Sequence, residues 1–79
     1  MSARELFKKL GLEYKECRYH GELVSISYIN DYNFSTKVRF DLENKMYTAY
    51  FGEDESAGYI DMDLYKAIGK QIEELGWCD

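Results

Sequence analysis

The spacing of apolar residues changes twice along this chain, and this change constrains the fold more than any other feature. Near both ends the apolar residues recur every three or four positions, which is the period of an amphipathic helix. They are Leu6, Phe7 and Leu10 at the start, and Leu64, Ile68, Ile72 and Leu75 near the end. Between the two ends apolar and polar residues alternate, as in strands with one buried face. The pattern predicts a helix, a group of strands and a second helix.

Residues typical of helix ends define both predicted helices. Ser2, followed three residues later by Glu5, predicts a capping box in which each residue satisfies an amide of the other. Gly11 lies where a left-handed residue would end the first helix in a Schellman motif. In the second helix Asp61 is the expected N-cap and Gly76 the expected end. Both helices are therefore expected to have well-defined ends.

Three segments of alternating pattern lie at 24–29, 37–42 and 46–51, with the sequences VSISYI, KVRFDL and MYTAYF. In the first of them the alternation assigns to one face Val24, Ile26 and Tyr28. A more polar segment at 13–19, EYKECRY, is expected at an edge of the sheet. Because the intervening turns are too short for a crossover, neighbouring strands must be antiparallel. We predict an α+β fold, α-β-β-β-β-α, with an antiparallel four-stranded sheet, both helices packed on one face and the other face exposed to solvent.

The length of 79 residues predicts a single α+β domain spanning residues 1–79, because such a chain is near the lower size limit for one independent core. A content of 46% hydrophobic and 16% aromatic residues suits a small, efficient core. No segment approaches the roughly 20 apolar residues that a membrane span needs. The opening MSARELFKKL lacks the apolar region of a signal peptide. We therefore expect a cytoplasmic protein that does not bind a membrane.

Few residues in this chain suit metal binding or catalysis. Cys17, Cys78 and His20 cannot supply a tetrahedral zinc site, and a cytoplasmic chain should keep both thiols reduced. The acidic run at 50–63, YFGEDESAGYIDMD, does not fit a calcium loop, because glycine and glutamate do not fall together at its sixth and twelfth positions. His20 precedes Gly21 in an apparent turn, where we expect it to be solvated. We predict no cofactor, no metal and no catalytic residue, and therefore a protein that is not an enzyme.

The net charge of −5 is unevenly distributed. Residues 1–45 carry eight basic and seven acidic side chains, a balance of +1, whereas residues 46–79 carry two and eight, a balance of −6. A strongly acidic C-terminal part repels phosphates. This charge distribution makes nucleic acid an unlikely partner.

The acidic run itself divides into two parts. Asp61 and Asp63 fall in the first turn of the second helix, where free amides and the helix dipole favour carboxylates. Glu53, Asp54 and Glu55 precede that turn and have no such explanation. We predict that these three acids belong to a partner-binding surface.

The eight tyrosines are too many for the core of so small a domain, so some on the strands must face outward. We predict that Tyr47, Tyr50 and Tyr59 join the three acids in a protein-binding surface, since exposed tyrosines are common interface anchors. One alternative is a homodimer formed through the tyrosine-bearing face. Another is a nucleic-acid-binding face in which Lys37 and Arg39 accompany the tyrosines. A fourth interpretation is simply that tyrosine suits strands.

Three segments, ELFKKLGLEYKE, VRFDLENKMY and IDMDLYKAIGKQIEELGW, resemble short orphan proteins of phages and prophages of Gram-positive bacteria. Those proteins open with a similar ELF-containing helix and close with a helix that ends in LGW. The resemblance covers most of the chain, but it consists of capping and core residues, so no functional residue is carried over. It implies a host or phage protein as partner and an accessory or inhibitory role. An inhibitor of this kind could present its carboxylates where nucleic-acid phosphates would bind.

Overall fold

Four strands that follow one another in sequence pair as one antiparallel sheet, with a helix at each end of the chain. The computed structural model describes residues 1–30, 36–51 and 60–77. The elements are α1 (Ala3–Lys9), β1 (Glu13–Tyr19), β2 (Glu22–Ile29), β3 (Thr36–Asp41), β4 (Met46–Phe51) and α2 (Met62–Glu74). The strand order is β1-β2-β3-β4, so β1 and β4 are the edges. The predicted α+β fold is confirmed, including the polar first strand at an edge.

Helix α1 begins and ends as predicted. The Ser2 side chain accepts a hydrogen bond from the Glu5 N–H, and the Glu5 carboxylate accepts one from the Ser2 N–H. The hydrogen bonds with Ser2 lower the pKa of Glu5. At the other end Gly11 has a φ of 81°, and the Leu12 N–H donates to the Phe7 carbonyl over 3.0 Å. This last bond is characteristic of the Schellman motif.

Helix α2 uses a similar arrangement. The Asp61 carboxylate accepts a hydrogen bond from the Leu64 N–H over 2.8 Å, which confirms Asp61 as the N-cap. Gly76 has a φ of 74°, and the Trp77 N–H donates to the Ile72 carbonyl over 3.1 Å. Both helix ends are thus set by short-range hydrogen bonds that the sequence makes recognisable.

The core lies between one face of the sheet and the two helices. Its buried apolar residues come from both helices, from Leu12 and from the two central strands: Ala3, Phe7, Leu12, Ile26, Tyr28, Val38, Phe40, Leu64, Ala67 and Ile68. Tyr28 is only 1% exposed, and its ring stacks on that of Phe7 with the centroids 3.8 Å apart. Its hydroxyl donates a hydrogen bond to the buried Gln71 amide oxygen. One β2 side chain therefore contacts both helices.

An irregularity between β1 and β2 changes which residues of β2 face the core. Cys17 pairs with Ser25, but the next residue, Arg18, pairs with Leu23, so β2 carries an additional residue at this point. An additional residue of this kind forms a β-bulge and interrupts the alternation of side chains. Leu23, rather than Val24, packs against the core. The prediction that Val24 lies on the core face is wrong, because strict alternation does not allow for a bulge.

A bond that the sequence did not reveal joins the two helices. The Glu74 carboxylate, in the last turn of α2, accepts a hydrogen bond from the Ala3 N–H over 2.7 Å. The first N–H groups of a helix have no partner within that helix, and its positive end favours a carboxylate. The neighbouring Glu73 instead lies near Lys70, with 3.7 Å between the charged atoms. Glu74 therefore fixes the C-terminal end of α2 against the start of α1.

Glu74 and Glu73 provide a matched pair of substitutions. We expect Glu74→Ala to lower the free energy of unfolding by about 1 kcal/mol or more, because a charge-assisted bond to a helix amide is lost. Glu73→Ala should change it by less than about 0.5 kcal/mol, as is usual for an exposed ion pair. Urea unfolding followed by circular dichroism measures both. Equal losses in the two variants would show that the Glu74 bond does not contribute to stability.

Tyr28 should make stability depend on alkaline pH. Burial raises the pKa of Tyr28 to about 12, above the ordinary value of 10.0. Because the folded-state pKa is the higher one, the stabilising contribution is complete below about pH 10 and is lost as the pH rises through about 12. Tyr28→Phe should cost about 1–2 kcal/mol at neutral pH, since the Gln71 oxygen loses its donor. This substitution should also reduce the decrease in the free energy of unfolding at alkaline pH, measured by urea unfolding across a pH series. An unchanged alkaline loss would contradict this assignment.

Candidate functional site

The two faces of the sheet differ in what covers them. In the part of the chain that the structure describes, both helices pack on the face that carries Ile26, Tyr28, Val38 and Phe40. Alternation along the strands and the cross-strand register place a second set of side chains on the opposite face. We call this surface the open face. It consists of Glu13, Lys15, Cys17, Ser25, Ser27, Ile29, Lys37, Arg39, Asp41, Met46, Thr48 and Tyr50.

Three basic side chains share the open face. The register aligns Lys15 of β1 with Arg39 of β3 across the central strand β2. Lys37 lies two residues from Arg39 on the same strand and therefore on the same face. Arg18 lies on the other face, where it forms an ion pair with Glu16 at 3.1 Å. The open face thus has three basic and two acidic side chains, although the whole chain has a net charge of −5.

Exposed apolar groups flank this basic cluster at the β4 edge. The Met46 side chain is 57% exposed, and that of Tyr50 is 53% exposed. Tyr50 is directly opposite Lys37 in the register, so the two side chains leave the sheet from neighbouring positions. Tyrosine, methionine and arginine are the side chains that protein interfaces favour, whereas lysine is depleted there. The open face therefore combines apolar anchors with charged groups.

Sequence reasoning missed two residues of this surface. The sequence alone does not place Lys15 and Met46 on the same surface as Tyr50, although the alternating pattern shows which face of its own strand each one occupies. Lys15 alternates with Glu13 and Cys17 along β1, and Met46 alternates with Tyr50 along β4. What the sequence lacked was the register that brings β1 and β3 side chains into the same row.

The structure separates two of the predicted partner-binding residues. Tyr50 lies on the open face. Tyr47 lies on the helix-covered face, with its ring centroid 5.8 Å from that of Phe40, and is 44% exposed. Because successive strand residues point to opposite faces, these two tyrosines flank β4 from opposite sides. A single flat partner surface cannot contact both rings.

The other predicted partner-binding residues, which include all the acidic ones, lie outside the described residues: Glu53, Asp54, Glu55 and Tyr59. The structure does place the end of the acidic run. Asp61 caps α2 and Asp63 lies in its first turn, as predicted. The contact role of the three earlier acids therefore stays a prediction.

Within residues 1–30, 36–51 and 60–77, no group of three His, Cys, Asp or Glu side chains is placed to hold a metal ion. His20 is exposed and has a φ of 51°, and the following Gly21 has a φ of 82°. These two residues form the tight turn between β1 and β2. Cys17 is an exposed free thiol on the open face, and Cys78 lies outside the described part of the chain. The turn accounts for the position of His20 without a chemical role.

A cleft of about 310 Å³ opens on the helix-covered side of the sheet, lined by residues of both helices, β1 and β2. Its polar groups already have partners within the chain. The Gln71 oxygen accepts from Tyr28, Glu74 accepts from Ala3, and the Arg4 guanidinium lies 4.2 Å from the Tyr14 ring centroid. Binding a ligand there would mean breaking these interactions, so the open face is the better candidate site.

Comparison with family models, with curated proteins and with solved structures returned no match to this chain. Among the described residues, neither helix has the length and apolar character that crossing a bilayer requires. The open face and the sheet edges are therefore the features that indicate a function. The resemblance to phage and prophage orphan proteins stays a prediction.

Proposed function

We propose that this protein is a non-enzymatic protein–protein interaction module whose open face binds a partner protein. One observation carries the proposal: no helix of the described chain covers this sheet face, and Met46 and Tyr50 are exposed on it, with Tyr50 opposite Lys37 in the register. A sheet that packs helices on one face only has a second face available for contact. Aromatic and sulfur-containing side chains there contribute contact area with little desolvation cost.

The size of the open face limits the expected affinity. Strands about 4.8 Å apart that rise about 3.3 Å per residue make this four-stranded face roughly 20 Å by 20 Å. A standard interface buries about 800 Å² on each partner, about twice that projected area. We therefore expect micromolar binding unless a partner also contacts the sheet edges or a second copy of the chain.

The phage and prophage resemblance favours a host or phage protein as the partner, in the bacterial cytoplasm, and an accessory or inhibitory role. Lys37 and Arg39 favour a partner that is acidic where it meets the open face. Glu53, Asp54 and Glu55 would then contact a separate, basic region of the partner. Salt should weaken such polar contacts at the rim more than the apolar contact at Tyr50.

The experiment compares matched tyrosine variants in affinity capture from a lysate of the organism that encodes the protein. Tyr50 on the open face and Tyr65 on α2 are similarly exposed, at 53% and 62%. We expect Tyr50→Ala to reduce the captured partner by about tenfold or more, as is usual for an interface anchor. Tyr65→Ala should capture as much as the unaltered protein. Equal capture by all three proteins, measured by quantitative mass spectrometry, would contradict the proposal.

Nucleic-acid binding is the second candidate function, and the placement of Lys15, Lys37 and Arg39 beside Tyr50 is the observation that favours it. Bases could stack on the ring while the three cations contact phosphates. Against this, the net charge is −5, so long-range repulsion opposes association. The protein interface explains Met46 as well as Tyr50 and remains our main proposal.

Fluorescence anisotropy with a labelled single-stranded oligonucleotide distinguishes these two functions. Our main proposal predicts no binding at physiological salt. If the second function is correct, affinity should fall with a log–log salt slope of about −2, as three phosphate contacts imply. In that case Arg39→Ala should weaken binding and Arg4→Ala, on α1, should not.

A further inference from the structure

The free edge of β4 can be determined from two hydrogen bonds at the ends of β3. The Asn30 N–H donates to the Thr36 carbonyl over 3.0 Å, and the Leu42 N–H donates to the Val24 carbonyl over 3.1 Å. In an antiparallel pair, residues alternate between bonding toward one neighbouring strand and toward the other. Even-numbered residues of β3 therefore bond to β2, and its odd-numbered residues bond to β4.

The register carries this alternation across to β4. Arg39 is opposite Thr48, so Thr48 and the other even-numbered residues of β4 bond to β3. The N–H and C=O groups of Tyr47, Ala49 and Phe51 consequently point away from the sheet. Within the part of the chain that the structure describes, no backbone hydrogen bond reaches these groups. Among the described residues, nothing pairs with this row of outward-pointing donors and acceptors on β4.

The two sheet edges differ in how they are protected against further pairing. Edge strands in natural proteins are usually protected by charged side chains or by bulges. Strand β1 has both, because a bulge interrupts its pairing with β2 and four charged residues lie along it: Glu13, Lys15, Glu16 and Arg18. Strand β4, MYTAYF, has no charged residue, and Met46, Tyr47 and Tyr50 are exposed on it. An edge of this kind readily accepts another strand.

We propose that β4 pairs antiparallel with β4 of a second copy of this chain, so that two sheets join into one of eight strands. A two-fold axis normal to the sheet makes the contact isologous and keeps the two open faces on the same side. Residues whose backbone N–H and C=O groups point outward must pair with residues of the same kind in the second copy. One register that meets this condition places the axis at Thr48, with Tyr47 opposite Ala49 of the second copy. Met46 then lies opposite the second copy's Tyr50, which is a favourable sulfur–aromatic pair.

Self-complementarity is the reason to favour a second copy over another occupant. Strand β4 has no charged side chain that could meet a like charge in the second copy, and in this register each large side chain faces a smaller or compatible one. The contact adds only four backbone hydrogen bonds and buries less than the ~1,600 Å² of a standard interface, so we expect a micromolar dimer. The joined open faces would cover roughly 800 Å², which is the usual contribution of one partner to an interface.

The first test is sedimentation velocity of the full chain over a wide concentration range. We expect the sedimentation coefficient to rise with concentration from the monomer value to the dimer value. A protein that remains monomeric at every concentration overturns the proposal. Binding of a partner protein by that monomer would leave the function of the open face intact, so the two proposals fail separately.

Ala49→Pro removes a free N–H from the β4 edge without removing a bond to β3, and proline is tolerated at such edge positions. We expect this variant to stay monomeric while its circular dichroism spectrum is unchanged. Glu16→Pro is the matched control, because Glu16 occupies the equivalent free position on β1. It should dimerise like the unaltered protein. If the Ala49→Pro variant is folded and still dimerises, the copies associate through contacts other than β4 pairing, and the proposal is overturned.

Thr48→Lys provides a second variant in case proline disturbs folding. Thr48 is exposed at the centre of β4, where an edge strand accepts lysine. In the dimer two lysines would face each other across the axis, so the dissociation constant should rise at least about tenfold at low salt and recover partly at high salt. An unchanged dissociation constant would show that copies associate elsewhere. If β4 instead pairs with a strand of a different protein and no dimer forms, the proposal that a second copy pairs with β4 is also overturned.

Discussion

The stacking of Tyr28 on Phe7, together with the bond from its hydroxyl to Gln71, is the interaction on which the rest of the structure depends. The Tyr28 ring is also 6.3 Å from that of Phe40 on β3 and 5.6 Å from that of Tyr14 on β1. One side chain in the middle of the sheet therefore touches α1, α2 and both neighbouring strands. Because so small a chain can fill only one core, this interaction places both helices on the same face.

That one-sided packing leaves the second face of the sheet without a helix in the described chain. With both helices on the face of Tyr28, Met46, Thr48 and Tyr50 are exposed on the open face. The packing also separates charges, since Arg18 pairs with Glu16 on the helix side while Lys15, Lys37 and Arg39 lie on the other side. A chain that is acidic as a whole thus presents a locally basic surface. Neither the total charge nor the acidic run indicates this surface.

The fold was predictable because its signals are local. The capping box at Ser2, the N-cap at Asp61 and the terminal glycines Gly11 and Gly76 act over a few residues. Alternation over three segments, with a more polar segment before them, indicated the strands, and short turns required antiparallel pairing. The one misplaced strand residue, Val24, depended on a bulge, and a bulge arises from how two strands meet. The candidate site was only partly predictable, since Tyr50 lies on the open face and Tyr47 does not.

The sequence by itself determined which segments are helices and strands, where the helices begin and end, and that the strands alternate between a buried and an exposed face. These properties depend on hydrogen bonds and side-chain periods within short stretches of chain. Only the tertiary structure decided that Glu74 binds the start of α1, that Lys15 aligns with Arg39, and that β4 is an edge strand of the described sheet. Each of these depends on the register or the packing of segments far apart in sequence. Short-range sequence patterns do not specify how such distant segments pair or pack.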